Sequence, residues 1–77
     1  MWNYRVIKKD QQFAIYEVYY DDHGEPFAFT EEPCHPYGES PEELAEDMGY
    51  FQEALTLPVL DYEELEKQCK ERGKAPN

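Results

Sequence analysis

Two cysteines and two histidines are the residues whose side chains could act as nucleophiles or bind a transition metal. They are Cys34, Cys69, His23 and His35. A structural zinc site takes four Cys or His ligands at close chelating spacing, and the sequence contains no Cys-x-x-Cys pair. The spacing therefore predicts no metal site, and no other motif predicts a cofactor.

The adjacent Cys34 and His35 could supply a thiol nucleophile and a base. That chemistry needs a thiolate, which positive neighbours favour and negative neighbours oppose, and the residues around this pair are acidic. The sequence therefore favours a protein that is not an enzyme. A small enzyme or accessory enzyme domain that uses Cys34 and His35 is the alternative.

Carboxylates are too abundant to nominate a catalytic pair, because 18 of the 77 residues are Asp or Glu. General acid and base catalysis needs two carboxyl groups in distinct environments, and no pair stands out by spacing. Residues 21–25 are acidic but lack the alternating oxygen ligands of a calcium loop. They predict a turn in which Gly24 takes positive φ.

The distribution of charge says more about partners than its net value of −11. Lys and Arg occur only up to Lys9 and from Lys67 onwards, so the middle of the chain is acidic. Proteins that bind nucleic acid or anionic membranes gain affinity from Lys and Arg, so direct binding to either surface is disfavoured. A basic partner protein, a role in solubility alone, and mimicry of nucleic acid by Asp and Glu remain open.

The leading hypothesis is a non-enzymatic protein-interaction or regulatory module that binds another protein, with a basic partner favoured by the acidic middle. Tyrosines support it, because they are enriched where one end of a side chain is buried and the other is wet. The residues predicted to form the interaction surface are Glu42, Glu46, Asp47, Tyr50, Glu53, Tyr19 and Tyr37.

These residues must be positioned by elements that begin with a predicted β-hairpin. Residues 2–9 alternate in polarity, and residues 13–20 are rich in β-branched and aromatic side chains, which predicts two strands. A three-residue loop would give one apolar and aromatic face and a second face that points to solvent. The expected opposite pairs are Trp2 with Tyr20, Tyr4 with Val18, Val6 with Tyr16, Arg5 with Glu17 and Ile7 with Ile15.

A third strand is predicted over residues 26–30, after the turn. Pro26 cannot donate to a ladder, which suits a strand at the edge of the sheet. A four-residue turn would place Phe27 and Phe29 on the core face, which burial favours, whereas a three-residue turn with a Gly bulge would point both rings outward. The exposed edge also allows a homodimer formed by strand addition.

The main helix is predicted to begin at Ser40, after an irregular loop over residues 31–39. Ser40 at the N-cap, Pro41 at the first position and Glu43 at the third form a capping box. Gly49 is predicted to allow close approach to the sheet. The apolar stripe expected to pack on the sheet is Leu44, Met48, Phe51 and Leu55.

A shorter C-terminal helix is predicted from Asp61, as N-cap, through residue 72, with Glu64 at its third position and Gly73 as its stop. The side chains on its core side are Leu65 and Cys69. The sequence thus predicts a single α+β domain over residues 1–73 and a frayed tail at 74–77. Its sheet has three antiparallel strands in the order β-β-β-α, with one main helix packed on it and this second short helix.

The expected location is the cytoplasm. The opening residues lack the apolar stretch of a secretory signal, and two distant cysteines suit a reducing compartment. No apolar run approaches the length of about 20 residues that spans a bilayer.

The segment Tyr37-Gly38-Glu39-Ser40-Pro41-Glu42-Glu43-Leu44-Ala45 resembles the helix entry of the HicB-like antitoxin fold, a small sheet with a helix across it. The resemblance covers about residues 2–56. The chain lacks that family's Pro-Asp-Leu-Pro-Gly-like segment and any appended DNA-binding module, so operator binding and toxin neutralisation are not implied. The opening and closing segments are similar to small bacterial proteins without an assigned function.

Overall fold

The computed structural model describes residues 1–73, and the predicted tail, residues 74–77, lies outside them. The described residues form a four-stranded sheet and two helices, which confirms the α+β class. The prediction of three antiparallel strands is incomplete, because a fourth strand runs parallel to the first. In chain order the elements are β1 (Trp2–Lys9), β2 (Gln12–Tyr20), β3 (Pro26–Phe29), α1 (Pro41–Ala54), β4 (Leu60–Asp61) and α2 (Tyr62–Gly73).

The hairpin turn has two residues and not three, so the predicted register is wrong by one position. Asp10 and Gln11 have φ of 51° and 69°, which is the backbone of a type I′ turn. Trp2 consequently pairs with Tyr19, and Lys9 with Gln12. This turn type matches the right-handed twist of the strands. The sequence at this turn, Asp10-Gln11, lacks the glycine that is typical of a type I′ turn.

A helix packs on each face of the sheet, so the prediction of a solvated second face is also wrong. Tyr4 pairs with Glu17 and Arg5 pairs with Tyr16, which places the two tyrosines on opposite faces. Helix α1 packs on the face of Tyr4, whose ring lies 4.3 Å from that of Phe51. Helix α2 packs on the other face. There the main core cluster is Ile7, Tyr16, Val18 and Leu65.

Arg5 lies on the α2 side of the sheet and is held by groups other than Glu17. Its Nη2 donates to the carbonyl of Pro58 at 2.8 Å, and its Nη1 donates to the hydroxyl of Tyr20 at 3.3 Å. The first of these bonds ties the segment between α1 and β4 to the sheet. The predicted Arg5–Glu17 pair does not form, because the two residues point to opposite faces.

The two outer strands, β3 and β4, differ from the prediction in the position of Phe27 and in the presence of β4. β3 lies at the edge as predicted, and Phe29 packs against the core. Phe27 does not, because a bulge opposite Tyr19 and Tyr20 leaves it 47% exposed. The short β4 was not predicted, since a strand of two residues is too short to show an alternating pattern.

Both helix starts are confirmed. The Ser40 hydroxyl accepts from the N–H of Glu43 at 3.1 Å, and the Asp61 carboxylate accepts from the N–H of Glu64 at 3.2 Å. The reciprocal arm of the capping box lies one residue earlier than usual, because the Glu43 carboxylate accepts from the N–H of Glu39 at 3.0 Å.

The predicted apolar stripe of α1 is correct only at Phe51. Leu44, Met48 and Leu55 are each more than 40% exposed. The helix is turned so that Phe51 and Ala54 are its buried residues. Gly49 faces open space and not the sheet. Periodicity locates an apolar arc, but the shape of the sheet decides which part of that arc is covered.

Candidate interaction groove

A concave surface forms a groove between α1, the sheet and the loop that leads into α1. Its volume is about 680 Å³. We call it the acidic groove. It is lined by Tyr4, Glu17, Pro33, Cys34, His35, Tyr37, Glu43, Glu46, Asp47 and Tyr50.

The loop wall of the acidic groove is fixed at three points. The N–H of Cys34 donates to the carbonyl of Ile15 at 2.8 Å, which attaches the loop to β2. The N–H of Tyr37 donates to the carboxylate of Asp47 at 2.9 Å, which attaches it to α1. Gly38 lies so close to the first turn of α1 that a side chain there would collide with the backbone of Leu44 and Glu43.

Asp47 connects the three walls of the groove. Its Oδ2 accepts from Tyr37, and its Oδ1 accepts from the hydroxyl of Tyr4 at 3.1 Å. The pKa of Tyr4 is raised to about 12, first by burial and then by the hydrogen bond to Asp47. One carboxylate thus joins the loop, the helix and the first strand.

Two other carboxylates have partners within the fold. Glu43 belongs to the helix cap and accepts from the N–H of Glu39. Glu17 interacts with the hydroxyl of Tyr19, whose pKa is raised by burial and then by this carboxylate. Glu46 is exposed on α1. Glu46 takes part in no hydrogen bond among those found for the described residues, so its carboxylate remains available to a ligand in the groove.

The sign of the groove is uniform. Four of the ten lining residues carry carboxylates and none is Lys or Arg. A concave surface of one sign concentrates ions and side chains of the opposite sign. The groove is therefore suited to a cationic ligand.

A second, smaller groove continues from the first along α1. Its volume is about 360 Å³, and we call it the apolar groove. The two grooves share Tyr4 and Tyr50. The ring of Trp2 lies edge-on to that of Tyr4 with centroids 5.2 Å apart. The remaining lining residues are Met1, Asn3, Glu53, Ala54 and Leu57.

The structure brings together five of the seven predicted surface residues. Tyr37, Glu46, Asp47 and Tyr50 line the acidic groove, and Glu53 lines the apolar groove. Glu42 is exposed on the first turn of α1 and lines neither groove. Tyr19 lies opposite Trp2 and lines neither groove.

The predicted interaction surface did not include four residues that line the grooves, namely Trp2, Tyr4, Glu17 and Glu43. The correct hairpin register would have identified two of them, since Tyr4 and Glu17 face each other across β1 and β2. Trp2 lies on the same face, two residues before Tyr4. The signal was present in the alternation, but a one-residue error in the turn hid the pairing.

Of the four candidate catalytic and metal residues, only Cys34 and His35 share one surface. Cys34 and His35 line the acidic groove, and the Cys34 sulfur lies 3.8 Å from the Thr30 hydroxyl. Cys69 packs on the α2 side of the sheet, where burial raises the pKa of its thiol. His23 lies in the turn before β3. Within residues 1–73 no group of His, Cys, Asp and Glu is arranged to hold a metal ion.

Comparisons with protein-family models, with curated proteins and with solved structures give no match to this chain. The resemblance of residues 2–56 to the HicB-like fold stays a prediction. Neither α1 nor the described part of α2 has the length and apolar composition that a membrane-spanning helix requires.

Proposed function

We propose that this chain is a non-enzymatic protein-interaction module whose acidic groove binds a basic segment of a partner protein. The observation that carries the proposal is the lining of the groove, in which carboxylates and tyrosines surround one concave surface that contains neither Lys nor Arg. Opposite charge across an interface accelerates encounter and selects among partners. Such a groove favours a segment that is rich in Lys or Arg.

Tyrosine rings give a second reason for a cationic ligand. Tyr37 is 64% exposed and Tyr50 is 50% exposed, so both rings can meet a partner. A cation over an exposed aromatic face gains about 0.5–1 kcal/mol. The chain already contains such a contact, in which the Lys9 ammonium lies 4.3 Å from the ring centre of Tyr62.

The anchored loop makes the groove a prepared site. Because Asp47 ties Tyr37 and Tyr4 to α1, the loop wall is already ordered before a partner arrives. A site that is ordered in advance loses less conformational entropy on binding. Affinity can therefore come from few contacts.

The same proposal places the module in the cytoplasm and allows it to self-associate. Cys34 and Cys69 are free thiols on opposite faces of the sheet, which suits a reducing compartment. β3 is an edge strand, so we expect any dimer to form by pairing of two β3 edges. Light scattering coupled to size-exclusion chromatography measures that state.

The test is binding of a fluorescein-labelled peptide of alternating Arg and Ser to the full chain, measured by anisotropy at several salt concentrations. We expect the affinity to fall as salt rises, because screening weakens exposed charge pairs. Glu46→Lys reverses one free carboxylate and is expected to weaken binding about tenfold. Glu71→Lys, on the exposed surface of α2, is the matched control and is expected to change affinity less than threefold.

Two results would contradict the proposal. One is the absence of measurable binding at low salt. The other is an equal loss of affinity in the Glu46→Lys and Glu71→Lys variants, because that pattern means attraction by net charge without a defined site.

A further inference from the structure

The apolar groove is open and lies directly beside the acidic one. Trp2, at its rim, is 47% exposed, and Met1 is 90% exposed. Large apolar groups that surround a concave surface favour an apolar ligand group. Because Tyr4 and Tyr50 line both grooves, a ligand that occupies the acidic groove reaches the apolar groove without leaving the surface.

The length of α1 sets the spacing between the two grooves. Asp47 lines the acidic groove and Ala54 the apolar groove. Seven residues of α-helix rise about 10 Å. An extended peptide covers that distance in about three residues.

We propose that the two grooves form one channel that binds an extended peptide carrying a basic residue and a large aliphatic residue about three positions apart. This inference rests on the proposed function, since the acidic groove supplies the charge complementarity that selects the peptide. The carboxylates receive the basic side chain. The surface made by Trp2, Tyr50 and Leu57 receives the aliphatic side chain.

Three peptides of equal length test the channel. The first carries two Arg and, three positions away, one Leu. The second replaces Leu by Ser, and the third keeps Leu and replaces both Arg by Gln. Each is made in both sequence orders. Trp2 is the single tryptophan of the chain, so its fluorescence reports directly on the apolar groove.

We expect the first peptide to bind about tenfold more tightly than the second. Burial of the Leu side chain contributes about 1.5 kcal/mol to binding, which corresponds to that factor. We expect the first peptide, and not the second, to shift the emission of Trp2 to shorter wavelength. The third peptide is expected to bind at least tenfold more weakly than the first.

Variants locate the contact. Trp2→Ala is expected to remove the preference for Leu over Ser, measured by anisotropy with labelled peptides. Phe27→Ala is the matched control, because Phe27 is also 47% exposed but lies on β3. Leu57→Ser gives an independent test if Trp2→Ala lowers stability, and it is expected to remove the same preference.

The outcomes separate this inference from the proposed function. Equal affinity of the Leu and Ser peptides, with salt-sensitive binding retained, overturns the channel and leaves the acidic groove as a binding site. If neither the Leu peptide nor the Ser peptide binds at low salt, the channel and the proposed function are both overturned. An equal effect of Trp2→Ala and Phe27→Ala also overturns the channel.

Discussion

Replacement of Asp47 by Ala tests whether one carboxylate organises the groove. The substitution removes two hydrogen bonds, from the Tyr4 hydroxyl and from the Tyr37 N–H. Both hydrogen bonds have a charged acceptor, and one is part-buried while the other is exposed. We therefore expect each bond to contribute about 1 kcal/mol to stability. Ala is a better helix former than Asp by about 0.6 kcal/mol. The expected net loss in the free energy of unfolding is about 1.5 kcal/mol.

The assay is urea unfolding followed by circular dichroism, supported by thermal unfolding. For a domain of this size the expected loss lowers Tm by about 6–12 °C. Glu46→Ala is the matched control on the same helix. Because that side chain is exposed and outside the hydrogen bonds of the loop, its removal is expected to change stability by less than about 0.5 kcal/mol.

A double-mutant cycle isolates the bond to Tyr4. Tyr4→Phe removes the hydroxyl and keeps the ring contact with Phe51, so it is expected to cost about 1 kcal/mol. The double variant Tyr4→Phe/Asp47→Ala is expected to lose about 1 kcal/mol less stability than the sum of the losses in the two single variants. Strictly additive losses, or an Asp47→Ala variant as stable as the parent chain, would refute the reasoning.

Two further predictions concern glycine packing and alkaline pH. Gly38→Ala places a methyl 2.7 Å from the carbonyl carbon of Glu43, so urea unfolding is expected to show a loss of about 1–3 kcal/mol. Gly49→Ala is the control, because nothing lies within 4 Å of a Cβ at that position. It is expected to raise the free energy of unfolding by about 0.5–1 kcal/mol. An equal change in stability in the two variants would contradict the close packing of Gly38. The pKa of Tyr4 is raised from 10.0 to about 12 in the folded chain, so as pH rises the hydroxyl ionises in the unfolded chain before it does in the folded one. The contribution of Tyr4 to the free energy of unfolding is therefore fully present below pH 10 and is lost between pH 10 and about 12. Urea unfolding of the parent chain and of Tyr4→Phe over that range measures this contribution, and an equal decline in both would contradict it.

Local patterns explain the parts of the fold that sequence reasoning predicted. Ser40 and Asp61 cap helices through bonds to residues three positions later. Gly24 takes a φ of 79° in the turn after β2. Pro26 begins an edge strand. In each case the deciding interaction lies within a few residues of the chain, so the sequence displays it directly.

The candidate site was predicted only in part for the same reason. Tyr37, Glu46, Asp47 and Tyr50 were identified because they belong to the helix and its entry loop. Their partners on the sheet were not, because a hairpin register depends on the conformation of two turn residues and a one-residue error moves every side chain to the other face.

The sequence by itself determined the α+β class, the starts of both helices, the position of β3 at an edge and the acidic character of the surface. Only the tertiary structure decided that α1 and α2 cover opposite faces of the sheet, which turn of α1 is buried, and that Asp47 meets Tyr4 across 43 positions of the chain. The physical reason is distance along the chain. Caps and turns are closed by neighbouring residues, whereas a groove forms where elements distant in sequence pack together.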